Sequence, residues 1–378
     1  MTTRIGVPLQ PADELRVALV PAAVAELVKK GLHVVVERGA GQRAGYPDPD
    51  FEKAGCRLVD PGQASGQADW LVTLRHVDPA SLKQGQVVIG LLDPLGNPGR
   101  MHELAMRGVD AFALELLPRI TRAQAMDALT SMASVAGYKA VLVAAARLDK
   151  MFPLQMTPAG TVAPARVLVV GAGVAGLQAI ATAHRLGAVV SAYDVRPAVK
   201  EQVESVGGKF LELGLPVESA EQAGGYARQQ SEAFYQQQQA RLTEAVAQSD
   251  VVIATALVPG QPAPLLISAD MVRGMRPGAI VIDLAAENGG NCALTRAGTE
   301  VVVHGVTVLG PLQLAATVPF HASQLYGKNL AAFLLLLHKA GRISPAADDE
   351  ILRETLVACG GEVIHPAVRA QLAAAKEN

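Results

Sequence analysis

At 378 residues, half of them hydrophobic and only 4% aromatic, the chain exceeds one ordinary core and reads as two domains of small-residue helices and buried strands. A formal net charge of −2 with a pI near 6.5 excludes any global electrostatic pull toward nucleic acid or an anionic membrane. The start, MTTRIGVPLQ, has no export signal, and Cys56, Cys292 and Cys359 have no metal or disulfide spacing, so a cytoplasmic location is expected.

In chain order, RIGVPL (4–9) and HVVVERG (33–39) read as strands around a helix at about 21–31 that Gly31 caps. DWLVTL (69–74), QVVIGLL (86–92) and DAFALEL (110–116) continue as strands, with a helix in PGRMHELAMRG. Alternation of this kind predicts a parallel sheet. A long helix from about Ala123 to Lys150, with Gly137 inside it, leads to a Pro-punctuated loop at 151–165. Strands recur at 167–170, 189–194, 251–256, 279–284 and 301–309, and helical segments follow the last. The most apolar of these, NLAAFLLLLHKAG (329–341), falls short of the roughly 20 residues a membrane span needs, so no direct membrane insertion is expected.

The expected fold class is α/β: two Rossmann-like, doubly wound parallel-sheet domains with a nucleotide cleft between them. Residues 1–137 form the first domain, to which helices in 321–378 return, and 138–320 form the second. Residues 214–241, polar and Gln-rich with glycines at 224 and 225, read as a mobile surface loop of the length that often serves as a lid.

The most informative stretch is RVLVVGAGVAGLQAIATAHRLGAVVSAYDVRP (166–197). Gly171, Gly173 and Gly176, with Val174 and Ala175 between the last two, form G-x-G-x-x-G between a strand and a helix. The glycines allow a tight turn, close approach to a pyrophosphate and close helix–strand packing, and the helix N-terminus offers free N–H groups. The next strand ends at Asp194, followed by Val195 and Arg196. An acid there accepts hydrogen bonds from an adenosine ribose and repels a 2′-phosphate, so NAD(H) is the expected cofactor. Arg196 is the residue type that accommodates a 2′-phosphate and pulls the other way.

This stretch, with KEQVESVGGKF after it and RVALVPAAVAELVKKGLHVVVERGAG near the N-terminus, resembles the alanine dehydrogenase/nicotinamide nucleotide transhydrogenase family over nearly the whole chain. PRITRAQAMDALTSMASVAGYKAV, GGYARQQSEAF and IDLAAENGGNC are similar to one branch, the NAD(H)-binding subunits of proton-translocating transhydrogenases. That resemblance implies hydride transfer, Re/Si-specific, between NAD(H) here and NADP(H) on a partner subunit. It also implies a homodimer, NADP-binding and membrane-spanning partner subunits, and peripheral association with the inner membrane through them. It assigns placement of the nicotinamide to Arg119, Gln124 and Asp127, with Thr130 where related subunits often carry Ser. It makes Tyr226 the tyrosine of a closing loop and sets Glu287 and Asn291 beside the nicotinamide.

The dehydrogenase branch uses a Lys at a strand end and a His after the next strand. Here the Lys position is Thr73, and no His stands between His76 and His102. Redox chemistry on an amine or ketone then has no evident proton carrier, whereas hydride exchange between two nicotinamides needs mainly alignment. An alanine dehydrogenase-like amino-acid oxidoreductase and a non-catalytic NAD-binding regulator remain as alternatives.

Overall fold

The computed structural model describes residues 3–75, 77–212, 232–258, 260–341, 343–344 and 348–377. The chain first lays down β1 (Arg4–Val7), α1 (Pro21–Lys29), β2 (His33–Glu37), α2 (Asp48–Lys53), β3 (Arg57–Val59), α3 (Ala64–Gln67), β4 (Trp70–Thr73), β5 (Val87–Gly90), α4 (Pro98–Met106) and β6 (Asp110–Ala113). These strands pair in parallel in the order β3-β2-β1-β4-β5-β6. The order reverses between β1 and β4, the point where doubly wound sheets open a crevice at their carboxyl ends.

A 3-10 segment, Thr121–Met126, precedes α5 (Ala128–Arg147). Then come the hairpin β7 (Gln155–Thr157) and β8 (Gly160–Val162), β9 (Arg166–Val170), α6 (Val174–Arg185), β10 (Val189–Tyr193), α7 (Lys200–Ser205) and β11 (Lys209–Phe210). They are followed by α8 (Glu232–Ala247), β12 (Val251–Ala254), α9 (Ala269–Arg273), β13 (Ile280–Asp283), β14 (Glu300–Val303) and β15 (Val306–Leu309). The second sheet runs β11-β10-β9-β12-β13-β15-β14, parallel except for β14. The chain closes with α10 (Pro319–Ala340), α11 (Glu350–Thr355), β16 (Leu356–Cys359), β17 (Glu362–Val363) and α12 (Pro366–Glu377). Two compact units result: Met1–Met132 with Ala316–Asn378, and Ala133–Ala315.

In the second unit, strand alternation sends Val167 and Val169 to one face with Ala140, Val141 and Ala144 of α5 and Ala179, Ile180 and Ala183 of α6. Leu168 and Val170 go to the other face, with Leu242 and Val246 of α8 and Met271 and Val272 of α9. Helices cover both faces, so the strands are apolar throughout rather than alternating.

Several elements depart from the sequence reading, each for a local reason. The strand read at 301–309 is a hairpin, because His304 and Gly305 both take positive φ (51° and 77°), the backbone of a two-residue primed turn. The helix read from Ala123 begins at Ala128: Asp127 has ψ 84°, and its Oδ1 accepts from the Thr130 N–H at 2.8 Å, an N-cap bond. The loop read at 151–165 contains β7 and β8, and strands β16 and β17 stand in a tail that had read as helical. Glu232–Ala247, which overlaps the loop read at 214–241, is helix α8; Tyr226 lies outside the described residues. Among the described residues α5, not 329–341, is the one helix long and apolar enough to cross a bilayer, yet its Ala140, Val141 and Ala144 are buried in the second unit's core.

The carboxyl ends of the first unit's strands carry a buried polar cluster. Arg16 Nε and Nη2 donate to the two oxygens of Glu14 at 2.7 and 2.6 Å, and Arg16 Nη1 reaches Met132 Sδ at 3.1 Å. Tyr326 of α10 donates to the Thr73 carbonyl, and the Val17 N–H donates to Ser323 Oγ at 2.9 Å. Glu115, just past β6, accepts from the Asp93 N–H at 2.6 Å through one oxygen, while its other oxygen is buried without a partner.

Burial pushes the Glu115 carboxyl up from 4.5 to about 7, and the neighbouring Asp93 carboxylate adds to the shift. Between those values the folded chain holds a proton that the unfolded chain has released. Stability therefore falls as pH rises through this window, by at most about 3 kcal/mol once above it. Glu115→Gln is expected to melt higher than the parent at about pH 8.5 and nearly with it at about pH 5. Thermal unfolding at the two pH values is the check, and an equal gap at both contradicts the prediction.

Candidate functional site

The glycines after β9 fall into two kinds when each is given a side chain. A Cβ on Gly171 (φ 97°) would stand 2.8 Å from Thr255 Oγ1 and 2.9 Å from the Ala256 nitrogen. A Cβ on Gly176 would lie 1.9 Å from the Gly171 oxygen. A third close approach involves Gly137 of α5, whose Cβ would meet the Ala175 oxygen at 2.1 Å. These positions let α5, α6 and the loop after β12 pack backbone to backbone. Gly173 differs, for no atom lies within 4 Å of where its Cβ would be. Its open side is the cradle that a pyrophosphate needs. Gly173 is also the N-cap of α6 and supplies no side-chain cap, which leaves first-turn N–H groups and the positive helix end for an anion. Of the residues between, Val174 is exposed and Ala175 buried.

Asp194 follows β10 and is folded back onto this loop. The Ala172 N–H donates to its Oδ2 at 2.7 Å. Arg196 donates three times at 2.9 Å: its backbone N–H and Nε to Oδ1, and Nη2 to Oδ2. Side-chain exposure is 4% for Asp194 and 12% for Arg196. Val195, between them, packs on the core under α8 and α9. Glycine loop, helix N-terminus and acid thus converge at the carboxyl ends of β9 and β10, with Thr255 beside them where the sheet reverses between β9 and β12. These residues fit a dinucleotide whose pyrophosphate lies over Gly173 and whose adenosine ribose meets Asp194.

Asn291 and Glu287 are placed otherwise than as simple lining groups. Asn291 is fully buried. Its Oδ1 accepts from the Ala256 N–H at 3.0 Å, and its Nδ2 donates to the Ala256 and Pro264 carbonyls at 2.8 and 2.9 Å. The amide ties the loop after β12 to the loop after β13. Glu287 is exposed and accepts from the Gln313 N–H at 2.8 Å.

The segment 119–130 belongs to the first unit. Arg119 and Gln124 are exposed, and Asp127 and Thr130 are half-buried. The Asp127 carboxylate accepts from Thr130 through both the N–H and Oγ1, at 2.8 and 2.6 Å. Three residues that the sequence did not flag hold this segment. Asn329 of α10, 8% exposed, donates to the Ala125 carbonyl at 2.9 Å. Arg122 forms a two-pronged pair with Asp349, the N-cap of α11, at 2.5 and 2.9 Å. Mutual pairing holds both charges, with the Asp349 carboxyl below its usual range and the Arg122 guanidinium above.

Comparison with known proteins agrees with this architecture. The family descriptions "Alanine dehydrogenase/PNT, N-terminal domain" and "Alanine dehydrogenase/PNT, C-terminal domain" match residues 9–136 and 140–366. The chain belongs to the alanine dehydrogenase/PNT family. It is 44% identical to the first of the polypeptides that make up NAD(P) transhydrogenase subunit alpha in Rhodospirillum rubrum, over 97% of this chain and 99% of that one. A crystal structure of transhydrogenase from Sinorhizobium meliloti superposes with a TM-score of 0.84 at 42% identity, covering 96% of this chain and 99% of that one. Alanine dehydrogenase of Bacillus subtilis is more distant, 26% identical over 97% of this chain and 94% of its own.

The two kinds of glycine are separable by experiment. Gly176→Ala forces a methyl into the Gly171 carbonyl and is expected to cost about 2 kcal/mol or more of stability. Gly173→Ala is expected to leave stability within about 0.5 kcal/mol of the parent while weakening NADH binding about tenfold or more, because the methyl occupies the phosphate cradle. Denaturant melts beside calorimetric titration decide it; a Gly173→Ala protein that binds NADH normally contradicts this assignment.

Proposed function

We propose that this chain is the NAD(H)-binding subunit of a proton-translocating transhydrogenase, exchanging hydride, with Re/Si specificity, with NADP(H) held by a partner subunit. The cofactor side of this reading rests on the glycine loop and Asp194. The reaction side is carried by Thr73. At the end of β4, where the dehydrogenase branch carries its Lys, the Thr73 hydroxyl donates to the Arg75 carbonyl at 2.7 Å. Arg75 itself pairs with Asp13 at 2.8 Å; His76 lies outside the described residues. A threonine bound to backbone is no proton carrier, and amine or ketone redox needs one.

When bound, the nicotinamide supplies or accepts the hydride, and this chain's task is placement. Gly173 and the α6 N-terminus hold the pyrophosphate, and Asp194 holds the adenosine ribose. Arg119 and the Gln124 amide orient the nicotinamide end, and Asp127 and Thr130, bonded to each other, fix the start of α5. Asn291 acts one step back, keeping the loops after β12 and β13 in place, and Glu287 does the same through Gln313. Proton movement belongs to the membrane-spanning partner, through which this subunit sits peripherally at the cytoplasmic side of the inner membrane.

The subunit is a homodimer in this reading. All six residues of β7 and β8 are exposed, and the arm carries Leu154 and Met156 at 55% and 78% exposure. An isolated two-stranded hairpin is marginal in water. Near its base lies an open depression of about 540 Å³ lined by Leu148, Met151, Phe152 and Leu186 among others. An apolar arm and an apolar groove on one surface suit an isologous pair. Light scattering at micromolar concentration is expected to give twice the chain mass, and Met156→Asp to shift the population toward monomer; a monomeric parent ends the claim.

Reconstitution with an NADP-binding transhydrogenase subunit tests the activity. NADH-dependent reduction of an NADP analogue is expected, and NADH oxidation by pyruvate with ammonia is not. The reverse result assigns the dehydrogenase chemistry, and NADH binding with neither activity assigns the regulator. Gln124→Asn shortens the amide by one methylene, so the transfer step is expected to slow about tenfold or more with little change in NADH affinity. Stopped-flow kinetics beside calorimetry measure the split, and weakened binding at an unchanged rate reverses the role of Gln124.

A further inference from the structure

The carboxylate expected to select the cofactor is saturated by the protein's own donors. A carboxylate offers about four acceptor positions. Those of Asp194 take the Ala172 N–H at 2.7 Å and three donors of Arg196, each at 2.9 Å. Two of the four are fixed backbone N–H groups. The other two belong to the Arg196 guanidinium, a side-on fork of the strongest kind that a carboxylate forms. A ribose hydroxyl can reach this carboxylate only where the guanidinium lets go.

We propose that Arg196 is a latch on Asp194, a specificity-determining residue that covers the carboxylate in the ligand-free chain and exchanges its two side-chain hydrogen bonds for those of the adenosine ribose hydroxyls. This inference rests on the reading of the second unit as an NAD(H) site. The exchange is possible because Arg196 lies on the connection after β10 with part of its side chain in contact with solvent, whereas the Ala172 N–H is held by the glycine loop. The two backbone donors stay on Asp194 after the latch opens, so the carboxylate remains ionised and oriented.

The latch acts oppositely on the two nucleotides. For NADH, it subtracts affinity, since a charge-assisted fork must break before the ribose hydroxyls bind. For NADPH, the released guanidinium stands next to the 2′-phosphate and offsets the repulsion from Asp194. Arg196 therefore narrows the preference that Asp194 creates. A merely structural arginine would do neither, because removing it would weaken both nucleotides together.

Calorimetric titration of the full chain with NADH and with NADPH, in the parent, Arg196→Gln and Arg196→Lys, tests the latch. Arg196→Gln is expected to bind NADH as tightly as the parent or more tightly and to bind NADPH at least about tenfold more weakly. Arg196→Lys keeps the charge but not the fork, so it is expected to tighten NADH binding while retaining NADPH binding near the parent's. Thermal melts of the free proteins confirm that each variant is folded before titration. An NADH-to-NADPH ratio that is unchanged in Arg196→Gln, or equal weakening of both nucleotides in either variant, overturns the latch and leaves the NAD(H) site standing. A parent that fails to bind NADH at all overturns the site and the latch together.

Discussion

The second unit depends on backbone meeting backbone where no side chain fits. Gly137, Gly171 and Gly176 each lack a Cβ at a point where one would lie within 3 Å of a neighbouring main-chain or hydroxyl oxygen. Their absence of bulk brings α5 against the start of α6 and α6 against the turn after β9. That packing fixes the direction of the α6 axis, and with it the direction in which the uncapped N–H groups point. A helix dipole acts only over its first turn, so an axis displaced by the thickness of a methyl would aim those donors elsewhere. The conformational entropy that three glycines add to the unfolded chain is the cost of this arrangement.

The two units share a reversal of strand order and use it differently. In the first, the reversal point between β1 and β4 is filled from within: the Arg16–Glu14 pair, Tyr326 on the Thr73 carbonyl, and Ser323 on Val17. A buried ion pair adds little net stability after desolvation, but removing either partner strands a charge, so the pair fixes the local geometry of the β1 loop. The second unit leaves the corresponding place open at Gly173 and lines it with N–H groups. The same topology thus gives one closed end, rigid enough to carry the 119–130 segment, and one end shaped for an anion.

What was legible in the sequence was whatever is local. The glycine spacing, the strand before it and Asp194 after the next strand all lie within one supersecondary unit, and the structure brings them together. The Asp127–Thr130 bond was equally local, an acid three positions before a hydroxyl residue, and its meaning as an N-cap was available from spacing alone. Asn329 was not legible, because its partner is a backbone carbonyl 204 positions away, and a carbonyl leaves no mark in a sequence. The same holds for Arg122 and Asp349, separated by 227 positions. Asn291 shows the converse problem. A polar side chain after a strand reads as a ligand contact, but here its amide serves main-chain groups 27 and 35 positions back.

The discontinuity of the first unit sets an order of events in the making of the protein. Its sheet ends at β6 until β16 and β17 arrive, and the contact between the Gly360 N–H and Asp110 spans 250 positions. The second unit, Ala133–Ala315, is continuous and leaves the ribosome whole before those strands exist. It can complete its core while the first sheet still presents β6, with Ala111, Phe112 and Ala113, as an open apolar edge. Open edges of this kind invite mispairing. The interval between synthesis of residue 113 and synthesis of residue 359 is therefore the window in which a nascent chain most needs a chaperone, and its last strands act as the cover that closes it.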